Sequence, residues 1–333
     1  MSIASDKPLD EPQQRLRIAF GPVPSRRLGH SLGINNIPHK VCTYSCVYCQ
    51  VGRTLQFQTE PSPFYEPESV AAAVAEKVEQ ARESQEAVDY ITFVPDGEPT
   101  LDANIGRTID LLKPLGIRIA VITNGSLIDR REVREALMET DWVSFKIDSV
   151  TEMTWRRISR PHSRLRLDRI LEGMIEFANS YAGTLVTETM LVRGLNEENG
   201  NLNTIAAFLG RLKPETAYIS IPTRPPAESW VLQPLEENVA RAHQILGREV
   251  SRVEHLIGYE GNAFASSGDP AEDLLSITAV HPMREEAVEK LLRRTGAGWS
   301  VVQELLRRGA LVETKYDGRR FFIRAFPKKK APV

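Results

Sequence analysis

The chain holds only three cysteines in 333 residues, too few and odd in number for a disulfide framework. No apolar run approaches the roughly 20 residues that a helix needs to cross a bilayer. The start, Met1-Ser-Ile-Ala-Ser-Asp-Lys, lacks the basic-then-apolar order of a secretion signal. These absences argue against a secreted scaffold or a membrane protein, and a cytoplasmic location is expected. Neither sign of charge dominates: 42 Lys and Arg stand against 44 Asp and Glu, a net of -2, so bulk attraction to a polyanion is not a property of the whole chain. What is present, 41% hydrophobic and 26% charged residues, suits a soluble chain long enough for one large domain and one small one.

All three cysteines fall within Val41-Cys-Thr-Tyr-Ser-Cys-Val-Tyr-Cys-Gln50. Scattered cysteines are usually small buried hydrophobes, whereas a C-x3-C-x2-C spacing puts three soft thiolates on one short loop, where they can wrap a metal centre. On the loop alone two centres stay open. His39 with the three cysteines would make a Cys3His zinc tetrahedron, and the cysteines by themselves would leave an iron-sulfur cluster one ligand short of the usual four. The loop resembles the cluster-binding loop of the radical S-adenosylmethionine (radical SAM) superfamily, including an aromatic residue, Tyr48, before the third cysteine. The resemblance implies that Cys42, Cys46 and Cys49 hold three irons of a [4Fe-4S] cluster. It implies further that the fourth iron is open to SAM, that a flavodoxin or ferredoxin donates the electron, and that SAM splits to methionine and a 5'-deoxyadenosyl radical.

The middle of the chain alternates strand and helix. Residues 89–95, 117–123, 142–147, 184–192 and 217–221 are short β-branched runs, and Val70, Val74 and Val78, or Ile170, Met174 and Phe177, carry helical spacing between them. With a first strand near Ser31 to Asn36 there are six strand-helix units. Parallel strands with right-handed crossovers gather the following loops on one face, and six units predict an α/β fold, a partial (β/α)6 TIM-like barrel open along one side. The superfamily's core is similar, with its cluster loop after the first strand.

The second run ends in Val94-Pro-Asp-Gly-Glu-Pro-Thr-Leu101. A carboxylate beside a glycine at a strand end can meet an ammonium while the backbone comes close to a ligand. The segment resembles the superfamily's Gly-Gly-Glu-Pro motif, with Asp96 in place of the first glycine, and this implies that Gly97 and Glu98 contact SAM. The next run ends Ile122-Thr-Asn-Gly-Ser126. The one after it carries Ser144, Lys146 and Asp148 at alternate positions, so these polar side chains share the face toward the lumen. The resemblance extends SAM or substrate contacts to Tyr48, Asn124, Ser144 and Lys146, and less directly to Asp148. A plain Lys146–Asp148 ion pair that orders the mouth is the structural alternative. No single catalytic residue is assigned, and the absence of a fourth cysteine argues against an auxiliary cluster with thiolate ligands and hence against sulfur insertion from one.

Three further segments attract notice. Arg26 and Arg27, set among turn formers in 21–29, are a candidate clamp for phosphate or carboxylate. Thr223, Arg224 and Glu228 follow a strand and are candidates for the same mouth. Arg156, Arg157, Arg160 and His162 read as a wet helix face. Residues 261–270 are rich in loop formers, and the domains are expected as a flexible start over 1–16, a radical SAM barrel over 17–262, a linker over 263–275 and a winged-helix-like domain over 276–333. In the last, helices near 283–294 and 300–308 precede a hairpin turning at Asp317-Gly318, with a capping box at Ser300-Val-Val-Gln303. Residues 281–333 hold 13 Lys and Arg against 6 Asp and Glu, so this domain is expected to contact an RNA or protein substrate. The competing function is an iron-sulfur or zinc sensor that regulates DNA through the winged helix.

Overall fold

The computed structural model describes residues 18–257 and 269–325. Residues 1–16, most of the loop at 261–270 and Lys328 to Lys330 lie outside the described residues. One sheet of eight strands forms the larger part, in the order β1 (Ala19–Ser25), β2 (Gly29–Ile34), β5 (Tyr90–Phe93), β6 (Arg118–Thr123), β7 (Trp142–Lys146), β8 (Thr184–Met190), β9 (Thr216–Ser220) and β10 (Val253–Leu256). All neighbours after β2 are parallel, β1 runs antiparallel to β2, and the end strands do not pair with each other. The sheet is a curled half-barrel. Two short strands, β3 (Val41–Cys42) and β4 (Gln56–Phe57), bracket the cysteine loop.

Period-2 alternation sorts the strand residues between two environments. Ile119, Val121, Val143, Phe145, Ile147, Ala217 and Ile219 join one core with the helices. Those helices include α1 (Pro67–Glu83), α2 (Ile105–Leu112), α3 (Arg131–Met138), α4 (Glu152–Ser159), α5 (Leu167–Ser180), α6 (Asn199–Leu212) and α7 (Glu236–Leu246). Phe145 and Phe177 are fully buried and meet edge-on at 5.4 Å, a pair worth about 0.5–1.5 kcal/mol beyond its area. The alternate residues Ala120, Trp142, Val186 and Tyr218 form a second cluster with Leu28 and Leu256. Ser144, Lys146, Glu188 and Ser220 continue that face toward the strand ends.

The sheet differs from the six expected units at both edges. Gly21, Pro22 and Pro24 read as turn formers, yet they sit in β1, an edge strand with an irregular register between Phe20 and Val23, where missing donors are tolerated. At the other edge β10 adds a seventh parallel strand that is only four residues long and half charged or polar, too short to stand out by pattern.

The C-terminal part contains α8 (Pro270–Val280), β11 (Met283–Arg284), α9 (Glu285–Arg294), α10 (Ser300–Arg307), β12 (Leu311–Tyr316) and β13 (Arg319–Arg324), with its sheet in the order β11-β13-β12. Where a linker was expected to 275, a helix starts at Pro270. Asp269 is its N-cap, accepting from the N–H groups of Ala271 and Glu272 at 2.9 and 3.1 Å, so the Asp-Pro pair that reads as loop is a helix start. Residues 283–284 pair with Phe322 and Phe321 instead of opening the next helix. Trp299 takes the cap position of α10 without a side-chain bond, so the expected capping box at Ser300 does not form. Asp317 and Gly318 both have positive φ, as a two-residue hairpin turn requires.

The core of this part is shared with the sheet. Phe20 and Val23 of β1 are buried with Leu274, Ile277, Met283, Val288, Leu291 and Phe322. Phe20 lies over Gly33, where an added Cβ would sit 2.1 Å from the ring. The β1–β2 hairpin is therefore the piece of barrel on which the C-terminal part is built.

Candidate functional site

The cysteine loop is fixed from both sides before any ligand arrives. Ser45 and Val47 donate backbone N–H groups to the carbonyls of Ser159 and Ile158 at 3.0 Å each, and Glu228 donates its own to Val47 at 3.0 Å. Trp155 donates Nε1–H to the Tyr44 hydroxyl at 3.2 Å. The buried Glu228 carboxylate accepts from Arg53 at 2.8 Å and Arg160 at 2.5 Å, which ties the loop's exit to the end of α4. Cys42, Cys46 and Cys49 are free, half-buried and line one cavity of about 320 Å³. Burial, with Glu98 nearby, pushes the Cys42 thiol up to about 12, and burial followed by Asp148 pushes Cys46 well up too. A metal charge among them is what would make these thiols thiolates. Lys40 donates to the Cys49 sulfur at 3.3 Å.

Three soft thiols on one loop are ligands of the kind that an iron-sulfur cluster takes. Among the described residues no three His, Cys, Asp or Glu side chains converge on a single-ion site. A single zinc, at about 2.3 Å from each sulfur, would draw its ligands together, whereas a cluster gives each thiolate its own iron. His39, the fourth ligand of the zinc alternative, is paired through Nδ1 with Oδ2 of Asp96.

The strand-end motif divides in two. Gly97 lines the cavity, and a Cβ there would lie 2.1 Å from the carbonyl oxygen of Val41 and 2.6 Å from Ile37, so only glycine lets β5's end touch the cysteine loop. Asp96 lines the cavity beside it, 1% exposed, with an Oδ1 that has no hydrogen-bond partner among the described residues. A buried carboxylate oxygen without a donor is costly and marks where a ligand's N–H belongs. Glu98 is equally buried but stands behind the cavity wall. Its carboxylate accepts from Thr100 N–H and Oγ1 at 3.1 and 2.7 Å, Thr123 Oγ1 at 2.5 Å and Asn124 N–H at 2.8 Å. Burial raises its pKa against the pull of those bonds. The Asn124 amide stays against the cysteine loop, its Nδ2 donating to Thr43 Oγ1 at 2.8 Å and to Cys42 Sγ at 3.8 Å while its Oδ1 accepts from Ser126 N–H at 2.9 Å.

The opposite wall is charged. Glu188, which the sequence reading passed over, accepts from Lys146 and Arg27 at 2.7 Å each and from Ser220 at 2.8 Å. Burial disfavours its charged form, but the charges of Lys146 and Arg27 outweigh that and hold the carboxyl well below the usual range. Arg27 also lies over the rings of Trp142 and Tyr218 at 5.7 and 5.9 Å and donates to Ser144 at 3.5 Å. The alternative of a direct Lys146–Asp148 ion pair does not form, since the Lys146 ammonium pairs with Glu188. Asp148 instead accepts from the Tyr48 hydroxyl and from Met190 N–H at 2.8 Å, while the Lys146 ammonium sits 5.0 Å over the Tyr48 ring. Lys146 and Glu188 are register partners across β7 and β8, and this cross-strand pairing of opposite charges is the signal that could have revealed Glu188.

Of the residues singled out in the sequence, the cavity brings together the three cysteines, Tyr48, Gly97, Lys146, Arg26, Arg27, Thr223 and Arg224. Glu98, Ser144, Asp148 and Glu228 stand behind it, and Asn124 joins it through its bond to Cys42. Arg224 donates to Gln50 of the cysteine loop at 2.7 Å and meets His281 of the C-terminal part at 3.0 Å. The Tyr316 hydroxyl donates to the Pro222 carbonyl at 2.9 Å, so the C-terminal part reaches the cavity's rim. Arg156 pairs with Glu152 on an exposed helix face, as expected, whereas Arg160 turns to Glu228 and His162 donates its N–H to Thr43.

A radical SAM superfamily profile matches residues 36–201. The chain is similar over nearly its whole length to a UPF0026 protein of Methanocaldococcus jannaschii, 44% identical over 313 residues that cover 93% of this chain and 96% of that one. A shorter likeness, 32% over 127 residues, links it to an S-adenosylmethionine-dependent nucleotide dehydratase of Flammeovirga pacifica, covering 38% of this chain and 41% of that one. In fold it is similar to a radical SAM methyltransferase from Sphaerobacter thermophilus, with a TM-score of 0.50 at 16% identity over 69% of this chain and 66% of that one.

Proposed function

We propose, from the premise that this enzyme belongs to the UPF0026 family and carries a radical SAM domain, that Cys42, Cys46 and Cys49 hold a [4Fe-4S] cluster whose fourth iron is open to SAM. The observation that carries the reading is the convergence of three free thiols, Gly97 and an unsatisfied Asp96 oxygen on one cavity. With its cofactors bound, such a site supplies reductive cleavage of SAM to a 5'-deoxyadenosyl radical that takes hydrogen from a substrate. The chain's own residues do the rest. Asp96, steadied by His39, accepts from the ammonium of SAM at Oδ1, and Gly97 admits the ligand against the backbone. Glu98, which the motif alone would place on SAM, acts as the knot that holds Thr100, Thr123 and Asn124 behind the contact. Lys40 offsets thiolate charge at Cys49. Tyr48, fixed by Asp148, closes the cysteine side.

Other parts of the reading rest on chemistry of the sequence. A flavodoxin or ferredoxin is the proposed electron donor, and reduced thiols suit the cytoplasm. The C-terminal part has a winged-helix order of elements and begins at Pro270, and we assign it to holding an RNA or protein substrate at the rim where His281 and Tyr316 touch the cavity loop. Several of its basic residues are engaged internally, Arg320 with Glu285 and Glu313 and Arg307 with Glu304. The DNA-binding sensor gains no support from these relatives and leaves the lumen's polar residues without a task. Anaerobic reconstitution should load roughly four irons per chain. Adding SAM should then change the electron paramagnetic resonance (EPR) spectrum of the reduced centre, and dithionite should release 5'-deoxyadenosine. A reduced centre that is blind to SAM would end the proposal.

A further inference from the structure

Eight large hydrophobic side chains are exposed among the described residues, and five of them, Leu55, Phe57, Met153, Trp230 and Leu232, stand on segments that hold the cysteine loop from outside. Leu55 and Phe57 belong to the loop's exit, with the Phe57 ring 6.2 Å from that of His162. Met153 lies on the outward face of α4, whose last residues Ile158 and Ser159 bind Val47 and Ser45. Trp230 and Leu232 flank Val231, which turns inward to pack with Val47 and Ile158. Single exposed apolar residues are ordinary, but a concentration of them marks a contact surface.

Arginines are set among these residues. Segments 53–57, 152–164 and 228–232 carry Arg53, Arg156, Arg157, Arg160 and Arg164 against two carboxylates, Glu152 and Glu228. Arg156 pairs with Glu152, and Arg53 and Arg160 divide Glu228 between them. Arg157 and Arg164 are exposed and make no ion pair among the described residues. The surface is therefore positive around its apolar residues, in a chain whose net charge is -2.

None of these side chains lines the cavity, so whatever docks here does not touch the substrate. It lies instead on the back of the cysteines: Cys46 packs against the cluster that contains Val47, Ile158 and Val231, a layer beneath Trp230 and Leu232. An electron crosses packed side chains, whereas a substrate does not. Resting on the reading of Cys42, Cys46 and Cys49 as cluster ligands, we infer that this apolar, arginine-studded face receives a reduced one-electron carrier protein with an acidic surface. One electron leaves the carrier, which is oxidised, and reduces the centre held by the cysteines; no atom is exchanged. Opposite charge steers such a brief encounter, and a small apolar contact orients it.

The test uses the reconstituted holoenzyme with an acidic flavodoxin and an acidic ferredoxin as probes. Titration calorimetry at low and high salt reports binding, and stopped-flow absorbance reports reduction of the centre by the pre-reduced carrier. At least one carrier should bind the native enzyme, more weakly as salt rises. The double variant Arg157→Glu with Arg164→Glu, and separately Trp230→Ser, should weaken binding and slow reduction roughly 10-fold, and only the charge reversal should flatten the salt dependence. Iron content, melting temperature and the 5'-deoxyadenosine released with dithionite, which needs no docking, should stay at the native level in both. Binding of neither carrier, or equal binding and reduction by native and variant enzymes, overturns the docking face. A single-stranded RNA oligonucleotide whose binding is lost in the same variants, with carrier binding unchanged, assigns the face to RNA and overturns it equally. Failure of the native enzyme to release 5'-deoxyadenosine with dithionite and SAM would instead strike the cluster reading beneath the inference.

Discussion

The cysteine side and the far wall of this cavity are built by opposite means. The cysteine side is fixed largely by backbone bonds, a glycine contact and the grip of Arg53 and Arg160 on Glu228, and burial pushes its Cys42 and Cys46 thiols up. The far wall brings its own charges and balances some of them across β7 and β8. Backbone bonds fix a loop whatever the charge beside it, whereas paired ionic side chains hold one another only while both stay charged.

The sharpest way to break that division is to cross it. Cys46→Ala should abolish cluster assembly, taking bound iron from roughly four per chain to background. Glu188→Gln on the far wall, which bonds no residue of the cysteine loop, should leave iron unchanged. Iron and sulfide assays with the visible absorption spectrum decide it, and loss of iron in both would mean the two sides are one structural unit.

Next in size is the far wall's keystone. Glu188→Gln leaves Lys146 and Arg27 buried without their counter-charge, and breaking such a pair costs about 3–5 kcal/mol. The effect has a definite sign with pH. The folded carboxyl is held below its unfolded value of about 4.3, so its stabilisation is complete above that pH and is lost as pH falls through the lower folded value. Denaturant unfolding of native and Glu188→Gln protein should therefore differ most near neutrality and converge in acid. A gap that widened on acidification would refute the charge balance described here.

Smaller, and aimed at the cysteine side, is the contrast between neighbours in the strand-end motif. Asp96→Asn should weaken SAM binding roughly 10- to 100-fold, the about 1.5–3 kcal/mol of a bond to a charged group, with iron intact. Glu98→Gln should mainly lower stability, because its acceptors hold Thr123 and Asn124 and do not reach the cavity. SAM titration followed by EPR, beside melting curves, separates them. The reverse pattern would return the SAM contact to Glu98.

What the sequence disclosed follows the same division. The cysteine spacing, the strand-end glycine and the alternation of Ser144 and Lys146 are local patterns, and the strands they sit on were legible from β-branched runs. Glu188 was not, because a single acid in Thr184–Met190 acquires meaning only when register sets it beside Lys146. Likewise β1 was hidden by its prolines, which an edge strand tolerates, and α8 by an Asp-Pro pair that serves as cap and first turn. Asp96 read as a departure from the motif, and only its buried, unsatisfied oxygen gives it a task. Long-range pairing and tertiary burial, neither of which has a period, account for what remained unseen.

The finest test concerns the rim that joins the two sides to the C-terminal part. Tyr316 donates to the Pro222 carbonyl two residues before Arg224, and its ring is half-buried there. Tyr316→Phe keeps the ring and removes one neutral bond, a loss of about 1 kcal/mol. If the C-terminal part only sits on β1, that loss should lower stability slightly and change nothing at the cavity. If it holds the Pro222–Arg224 loop in place, amide hydrogen exchange at Thr223 and Arg224 should quicken by a few-fold while iron content stays level. The second outcome is expected, because His281 secures the same loop through Arg224, and two independent contacts from one part onto three residues are more than packing on β1 requires.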